Sequence, residues 1–329
     1  MKKICALLLV MTLCLSIAPL TMAETTELPS VAIIIAGGLG DRSFYDSANG
    51  GLELLKATYP GIVTGVMECK EDPSLFEQTL SAAAESYDII VAVGWQFWDA
   101  LTLVAPQMPE KKFIFVDNAM EGIDNVFSIT YAENQGSFLV GYIAAKLSET
   151  GIIGMVGGAD DVTINNFFVG YRQGAQYANP AVQVEVSYTA DYEDPAKGKE
   201  HALALYDRGA DIVFQVAGKT GEGVFQAAAE VGKYAIGVDG DQKYINPDVI
   251  LCSMVKEVGV SIHDAVVDYV ENGNFPGGTV WNADMANNYI AVAYGDDSMP
   301  QQVGEELKAE VAALAAMIES GEIVVETTR

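Results

Sequence analysis

Val31-Ala-Ile-Ile-Ile-Ala-Gly-Gly38 and Ile152-Ile-Gly-Met-Val-Gly-Gly158 decide the fold. Each is an apolar run closing on two glycines, followed by a helical stretch that stops at Tyr59-Pro60 in one case and Asn179-Pro180 in the other. The glycine pairs stand 120 residues apart. Three further landmarks keep that spacing. Asp72-Pro73 returns as Asp194-Pro195 after 122 residues, and Asp88-Ile-Ile-Val-Ala-Val-Gly94 as Asp211-Ile-Val-Phe-Gln-Val-Ala-Gly218 after 123. Lys112-Phe-Ile-Phe-Val-Asp117 returns as Lys233-Tyr-Ala-Ile-Gly-Val-Asp239 after 121 to 122. Any one match could be chance; four in register mark an internal duplication.

Each half alternates short apolar runs with helical stretches. Strands are expected near Val31–Ala36, Ile62–Met67, Ile89–Val93, Phe113–Val116 and Val126–Thr130, then near Ile152–Val156, Val182–Tyr188, Ile212–Val216, Ala235–Val238 and Val249–Met254. The Asp-Pro pairs are helix starts, Asp as cap and Pro in the first turn. Continuous apolar strands between helices read as parallel sheets covered on both faces. The fold class is therefore α/β, with two similar doubly wound lobes. Glu257–Asn272 reads as a helix, Asn288–Tyr294 as a strand and Pro300–Ser320 as a helix. Three crossings between lobes, near Tyr131–Gly136, Ser253–Glu257 and Asn282–Gly295, make a hinge. The first lobe is assigned to 24–131 with about 255–285, the second to 132–254 with about 286–329.

The chain has 329 residues, half apolar, with 18 Lys and Arg against 45 Asp and Glu. That length suits two lobes, and the apolar content argues against general disorder. The acidic balance disfavours nucleic acid and anionic membrane surfaces as partners. Residues 1–23 read as a signal peptide: Lys2 and Lys3, an apolar stretch, then Thr21-Met22-Ala23 before the cut. A retained anchor is the alternative. Cleavage leaves 16 basic and 45 acidic residues and only Cys69 and Cys252, read as buried apolar side chains with a disulfide as the alternative.

Ligands of open parallel sheets bind beyond the carboxyl ends of the strands. There the sequence places Asp41, Ser43, Phe44 and Tyr45 after the first strand, Trp95 after the third and Asp117 after the fourth. The second half offers Gly157 through Phe168, then Gly218 and Lys219, then Asp239, with Lys256 ending a later strand. Aromatic faces, carboxylates and a lysine suit a flat, neutral, polyhydroxylated ligand. Phe44 or Trp95 could stack on a ring, Asp117 and Asp239 could accept from hydroxyls, and Lys256 could donate or hold a carboxylate. Each has a plainer role: Phe44 as core, the two aspartates as helix caps, Lys256 as a surface lysine. His201 and His263 are expected to be solvated.

Enzyme motifs fail on inspection. The dinucleotide fingerprint breaks at Ser43, the P-loop's first glycine falls on Val213, no Gly-x-Ser-x-Gly occurs, and no His/Cys cluster has metal-ligand spacing. No cofactor or metal is implied. A ligand trap is the simplest reading.

Several segments resemble the basic membrane protein family, the nucleoside-binding group of ABC-transporter substrate-binding proteins. They include Asp41-Arg-Ser-Phe44, Val93-Gly-Trp-Gln-Phe97, Glu133-Asn-Gln-Gly-Ser-Phe138, Ala217-Gly-Lys-Thr-Gly-Glu-Gly223 and Gly237-Val-Asp-Gly-Asp-Gln242. The resemblance runs from about Val31 to Gly295. It implies a type I periplasmic-binding fold whose lobes close on a purine nucleoside for delivery to an ABC permease. The protein is expected to be exported and monomeric. Phe44 then resembles the stacking aromatic and Asp41 its polar neighbour. Asp117 and Asp239 resemble the ligand-facing carboxylates, Lys256 the cleft lysine, and Gly218 a backbone contact. Phe167 is the candidate for the second stacking ring. Two departures stand out: the family usually has Asn where this chain has Tyr45, and Cys14 follows Leu13, a poor lipoprotein signal. A flavin or a sugar is the alternative cargo, and a nucleoside hydrolase the alternative activity.

Overall fold

The structure is a computed structural model describing residues 27–328. The expected signal peptide lies outside the described residues. The first sheet contains β1 (Val31–Ile35), β2 (Thr64–Glu68), β3 (Ile89–Val93), β4 (Lys112–Val116), β5 (Val126–Tyr131) and β11 (Val280–Ala283), in the order β11-β5-β4-β3-β1-β2 and wholly parallel. The second contains β6 (Ile152–Gly157), β7 (Gln183–Tyr188), β8 (Ile212–Val216), β9 (Tyr234–Asp239), β10 (Ile250–Lys256) and β12 (Ile290–Ala293), in the order β12-β10-β9-β8-β6-β7. The two orders are equivalent, as the duplication requires. β12 departs from the expected all-parallel sheet by running antiparallel to β10.

β1, β3 and β8 are buried along their whole lengths, which is why their sequences are unbroken apolar runs rather than alternating ones. Register aligns Ile35 with Val93 and Val93 with Val116, so β1, β3 and β4 end level and their following loops share one edge. Helices cover both faces: α1 (Phe44–Thr58), α2 (Phe76–Ser86), α3 (Trp98–Val104) and α8 (Val258–Asn272) in the first lobe, α4 (Glu133–Leu147), α5 (Val162–Ala178), α6 (Pro195–Asp207), α7 (Glu222–Val231) and α9 (Glu305–Glu319) in the second.

Asp194 caps α6 as its Asp-Pro start predicts, accepting from the Ala196 and Lys197 N–H groups. Asp72-Pro73 instead opens a single 3-10 turn, and the α-helix starts only at Phe76. Helices α4 and α5 meet backbone to backbone. A methyl group on Gly174 would stand 1.9 Å from the Phe138 carbonyl oxygen, and one on Gly170 2.1 Å from that of Asn134.

Three segments join the lobes. The chain passes from β5 into α4, from β10 into α8, and from β11 into β12. They are laced together: Ala132 N donates to Ala283 O at 3.0 Å, Glu257 N to Tyr289 O at 2.9 Å, and Met285 N to Gln135 Oε1 at 3.0 Å.

Cys69 and Cys252 are free and buried, and burial pushes the Cys252 thiol up to about 12. The histidines are not solvated as expected. Both are half-buried, His201 Nδ1 within 2.8 Å of Ser187 Oγ and His263 Nε2 within 2.9 Å of Thr58 Oγ1. No helix among the described residues is long and apolar enough to cross a membrane.

Candidate functional site

The loops beyond β1, β3 and β4 in the first lobe face those beyond β7, β8, β9 and β10 in the second. Between them lies a cavity. Of the residues expected from sequence, Asp41, Phe44, Tyr45, Trp95, Asp117, Phe167, Gly218, Asp239 and Lys256 line it.

Its floor is ionic. Lys256 ends β10 in the second lobe, 2% exposed, with Nζ 3.1 Å from Asp117 Oδ1 of the first lobe and 3.7 Å from Asp239 Oδ1. Burial works to lower the Lys256 pKa, but Asp117, Asp239 and the buried Glu133 outweigh it and hold the ammonium charged. Burial raises the Asp239 carboxyl against the opposing pull of Lys256 and Ser43. Asp117 and Asp239 sit at equivalent points of the repeat with φ of +72° and +64°. Neither caps a helix; each is held left-handed where its strand ends, a conformation rare for a residue with a side chain and most tolerable for Asp or Asn. Lys256 Nζ also lies 4.6 Å from the centre of the Phe44 ring, 5.1 Å from Tyr131 and 5.4 Å from Phe167. Lys256 is thus no surface lysine.

Asp41 does a different job from the one expected. Its carboxylate accepts from the N–H groups of Ser43 (3.0 Å), Tyr45 (2.8 Å) and Asp46 (3.0 Å), satisfying the first turn of α1. Burial nevertheless raises its pKa to about 6. Ser43, the residue at the cap position, makes no capping bond. Its hydroxyl donates across the cleft to Asp239 Oδ2 at 2.5 Å, and it does not line the cavity. Tyr45 is buried and hydrogen-bonded to Glu71.

Lys219 falls outside the site. Gly218 turns left-handed (φ +53°) into a 3-10 turn, Gly218–Gly221, and the Lys219 ammonium pairs with Glu193 at 3.2 Å on the surface. Trp98 is exposed and packs on Phe115 rather than on the cavity.

Sequence reasoning missed Tyr192. It follows the edge strand β7, lines the cavity, and lies beside the Trp95 indole across the cleft. Burial drives its pKa far up. Gln96, Thr163 and Ile164 line the cavity as well. The signal for Tyr192 was the repeat itself: the loop after β7 is the counterpart of the Cys69–Asp72 loop after β2, and both must reach the same edge. The cleft is fastened further by Gln242 Nε2 donating to Arg42 O at 2.9 Å, and by Arg42–Glu222 at 3.5 Å, an exposed pair of little energetic weight.

Two equivalent α/β lobes, laced by three strands and enclosing a polar and aromatic cavity at their strand ends, define a solute-trapping protein of the type I periplasmic-binding fold. A solute-binding protein of an ABC transporter system from Aeropyrum pernix K1 superimposes with a TM-score of 0.81 at 28% identity, over 91% of this chain and 94% of that one. One from Conexibacter woesei does so with a TM-score of 0.72 at 26% identity, over 91% and 98%. The chain belongs to the family described as ABC transporter substrate-binding protein PnrA-like, which matches residues 28–328. Relatives include the ABC transporter nucleoside-binding protein BmpA of Lactococcus lactis, 32% identical over 91% of this chain and 89% of that protein. Basic membrane protein A1 of Borrelia garinii is also 32% identical, with the same two coverages. This is a family of substrate-binding proteins of ABC transporters, not of enzymes.

Proposed function

We propose that the protein captures a purine nucleoside, or a closely similar neutral heteroaromatic solute, outside the cytoplasm and presents it to an ABC permease. The observation that carries this reading is the Lys256 ammonium held between Asp117 and Asp239 beneath aromatic walls. Two carboxylates and one ammonium can grip adjacent hydroxyls by charge-assisted hydrogen bonds. Phe44, Phe167 and Tyr192 offer flat faces to a heterocycle. A phosphorylated cargo would meet Asp117 and Asp239 at close range, and Coulomb repulsion disfavours it. The first lobe is taken as 24–131 with about 255–285, the second as 132–254 with about 286–329, and residues 1–23 as the export signal. Cargo adds contacts to both lobes at once and so favours the closed arrangement.

The relative from Lactococcus lactis carries nucleoside binding in its name, which agrees with this reading. A thermal-shift screen against nucleosides, riboflavin and monosaccharides tests it. A ligand at 100 times its dissociation constant stabilises by about 2.7 kcal/mol. The expected result is a rise in Tm with inosine or guanosine; a rise with riboflavin or a sugar alone would overturn the cargo.

A further inference from the structure

The cavity carries one polar group that the ionic floor does not use. Gln96 lines it from the 3-10 turn Trp95–Phe97, just beyond β3, and its Oε1 is buried with no hydrogen-bond partner among the described residues. Buried acceptors are nearly always paired, so an orphan on a side chain that lines a cavity marks a place for a donor on whatever fills it. Its position relative to the aromatic wall is fixed by Gly94. A methyl group built on Gly94 would lie 2.5 Å from Gln96 Oε1 and 3.8 Å from Cε1 of Phe44. The amide and the Phe44 ring are therefore neighbours around Gly94. A heterocycle stacked on Phe44 would present its edge, with its ring N–H and exocyclic groups, to Gln96. Of the other polar side chains of the wall, Asp41 is engaged with three backbone N–H groups, and Asp117 and Asp239 with Lys256.

We propose that Gln96 is the residue that reads the edge of the cargo's base. This rests on the nucleoside reading given above. A carboxamide offers one acceptor and one donor side by side. In one orientation Oε1 accepts from a lactam N–H while Nε2 donates to the neighbouring carbonyl oxygen, as in hypoxanthine and guanine. Rotated by half a turn, Nε2 donates to the bare N1 of adenine while Oε1 accepts from its exocyclic amine. Gln96 therefore admits both 6-oxo and 6-amino purines, and a residue with acceptors only would not.

The test is calorimetry of the wild type, Gln96→Glu and Gln96→Met with guanosine and adenosine at pH 8, each variant first shown to unfold cooperatively. A carboxylate accepts from the N1–H and exocyclic amine of guanine but faces the N1 lone pair of adenine. Gln96→Glu should raise the guanosine-to-adenosine affinity ratio by roughly tenfold or more. Gln96→Met, which removes donor and acceptor together, should weaken both nucleosides about tenfold and leave their ratio near the wild-type value. If both variants bind both nucleosides within twofold of the wild type, Gln96 does not read the base, while the nucleoside reading stands. If the wild type binds no nucleoside at all, both readings fall together.

Discussion

Replacing Asp239 by Asn isolates what its charge contributes. The substitution keeps the shape and an acceptor for the Ser43 hydroxyl, and Asn tolerates the left-handed backbone at this position (φ +64°), where Ala would add strain of about 1 kcal/mol or more. What is lost is a negative charge 3.7 Å from the Lys256 ammonium. Lys256 keeps Asp117 at 3.1 Å, so it is not left alone. Removing a buried carboxylate also relieves its desolvation, the same effect that raises its pKa. The two terms oppose, and the folding free energy should change by less than about 2 kcal/mol. Binding has no such offset. A hydrogen bond to a charged group contributes about 1.5–3 kcal/mol against about 0.5–1.5 for a neutral one, so a cargo hydroxyl on Asp239 loses about 1–2 kcal/mol. Inosine should then bind roughly five- to thirtyfold more weakly by isothermal calorimetry, with Tm little changed. A cooperatively folded Asp239→Asn protein that binds inosine within twofold of the wild type would remove Asp239 from the cargo site.

Trp95→Phe deletes the indole N–H beside Tyr192 while keeping an aromatic wall, and should weaken inosine about two- to tenfold by the same assay. Unchanged affinity would mean the indole N–H plays no part in binding. Asp41 titrates near 6 when folded, above the ordinary 3.8, so the folded protein holds a proton there that the unfolded chain has released. Its contribution is thus present at low pH and declines as pH rises from about 4 to about 6, by up to about 3 kcal/mol. Denaturation of Asp41→Asn across that range should show a flatter pH profile than the wild type; parallel profiles would contradict the shift. Gly174→Ala forces α4 and α5 apart and should destabilise by about 1–3 kcal/mol, read as a lower urea midpoint.

The strands were legible because burial on both faces turns each into an unbroken apolar run, as in Ile89–Val93 and Ile212–Val216. Asp117, Asp239 and Lys256 were legible because parallel strands deliver their terminal residues to one edge. The short edge strand β11 was not: Val280–Ala283 carries Trp281 and Asn282 behind two glycines and reads as connection. Loop residues failed for a local reason. Whether Lys219 or Gly218 faces the cavity depends on one left-handed φ, and Ser43 misses the cavity because Asp41, two positions earlier, takes the first turn of α1 while the Ser43 hydroxyl turns to Asp239. Tyr192 lies on a loop that the repeat brings to the strand-end edge, but its reach into the cavity depends on how the two lobes pack.

On the proposed reading both halves of a nucleoside are held at once, the sugar by the ionic floor and the base by the aromatic wall. Parallel calorimetric titrations with inosine, ribose and hypoxanthine test it most directly. Inosine should bind one to one and at least a hundredfold tighter than either fragment, since joining the two halves removes one entropy cost of association. Ribose or hypoxanthine binding as tightly as inosine would contradict it.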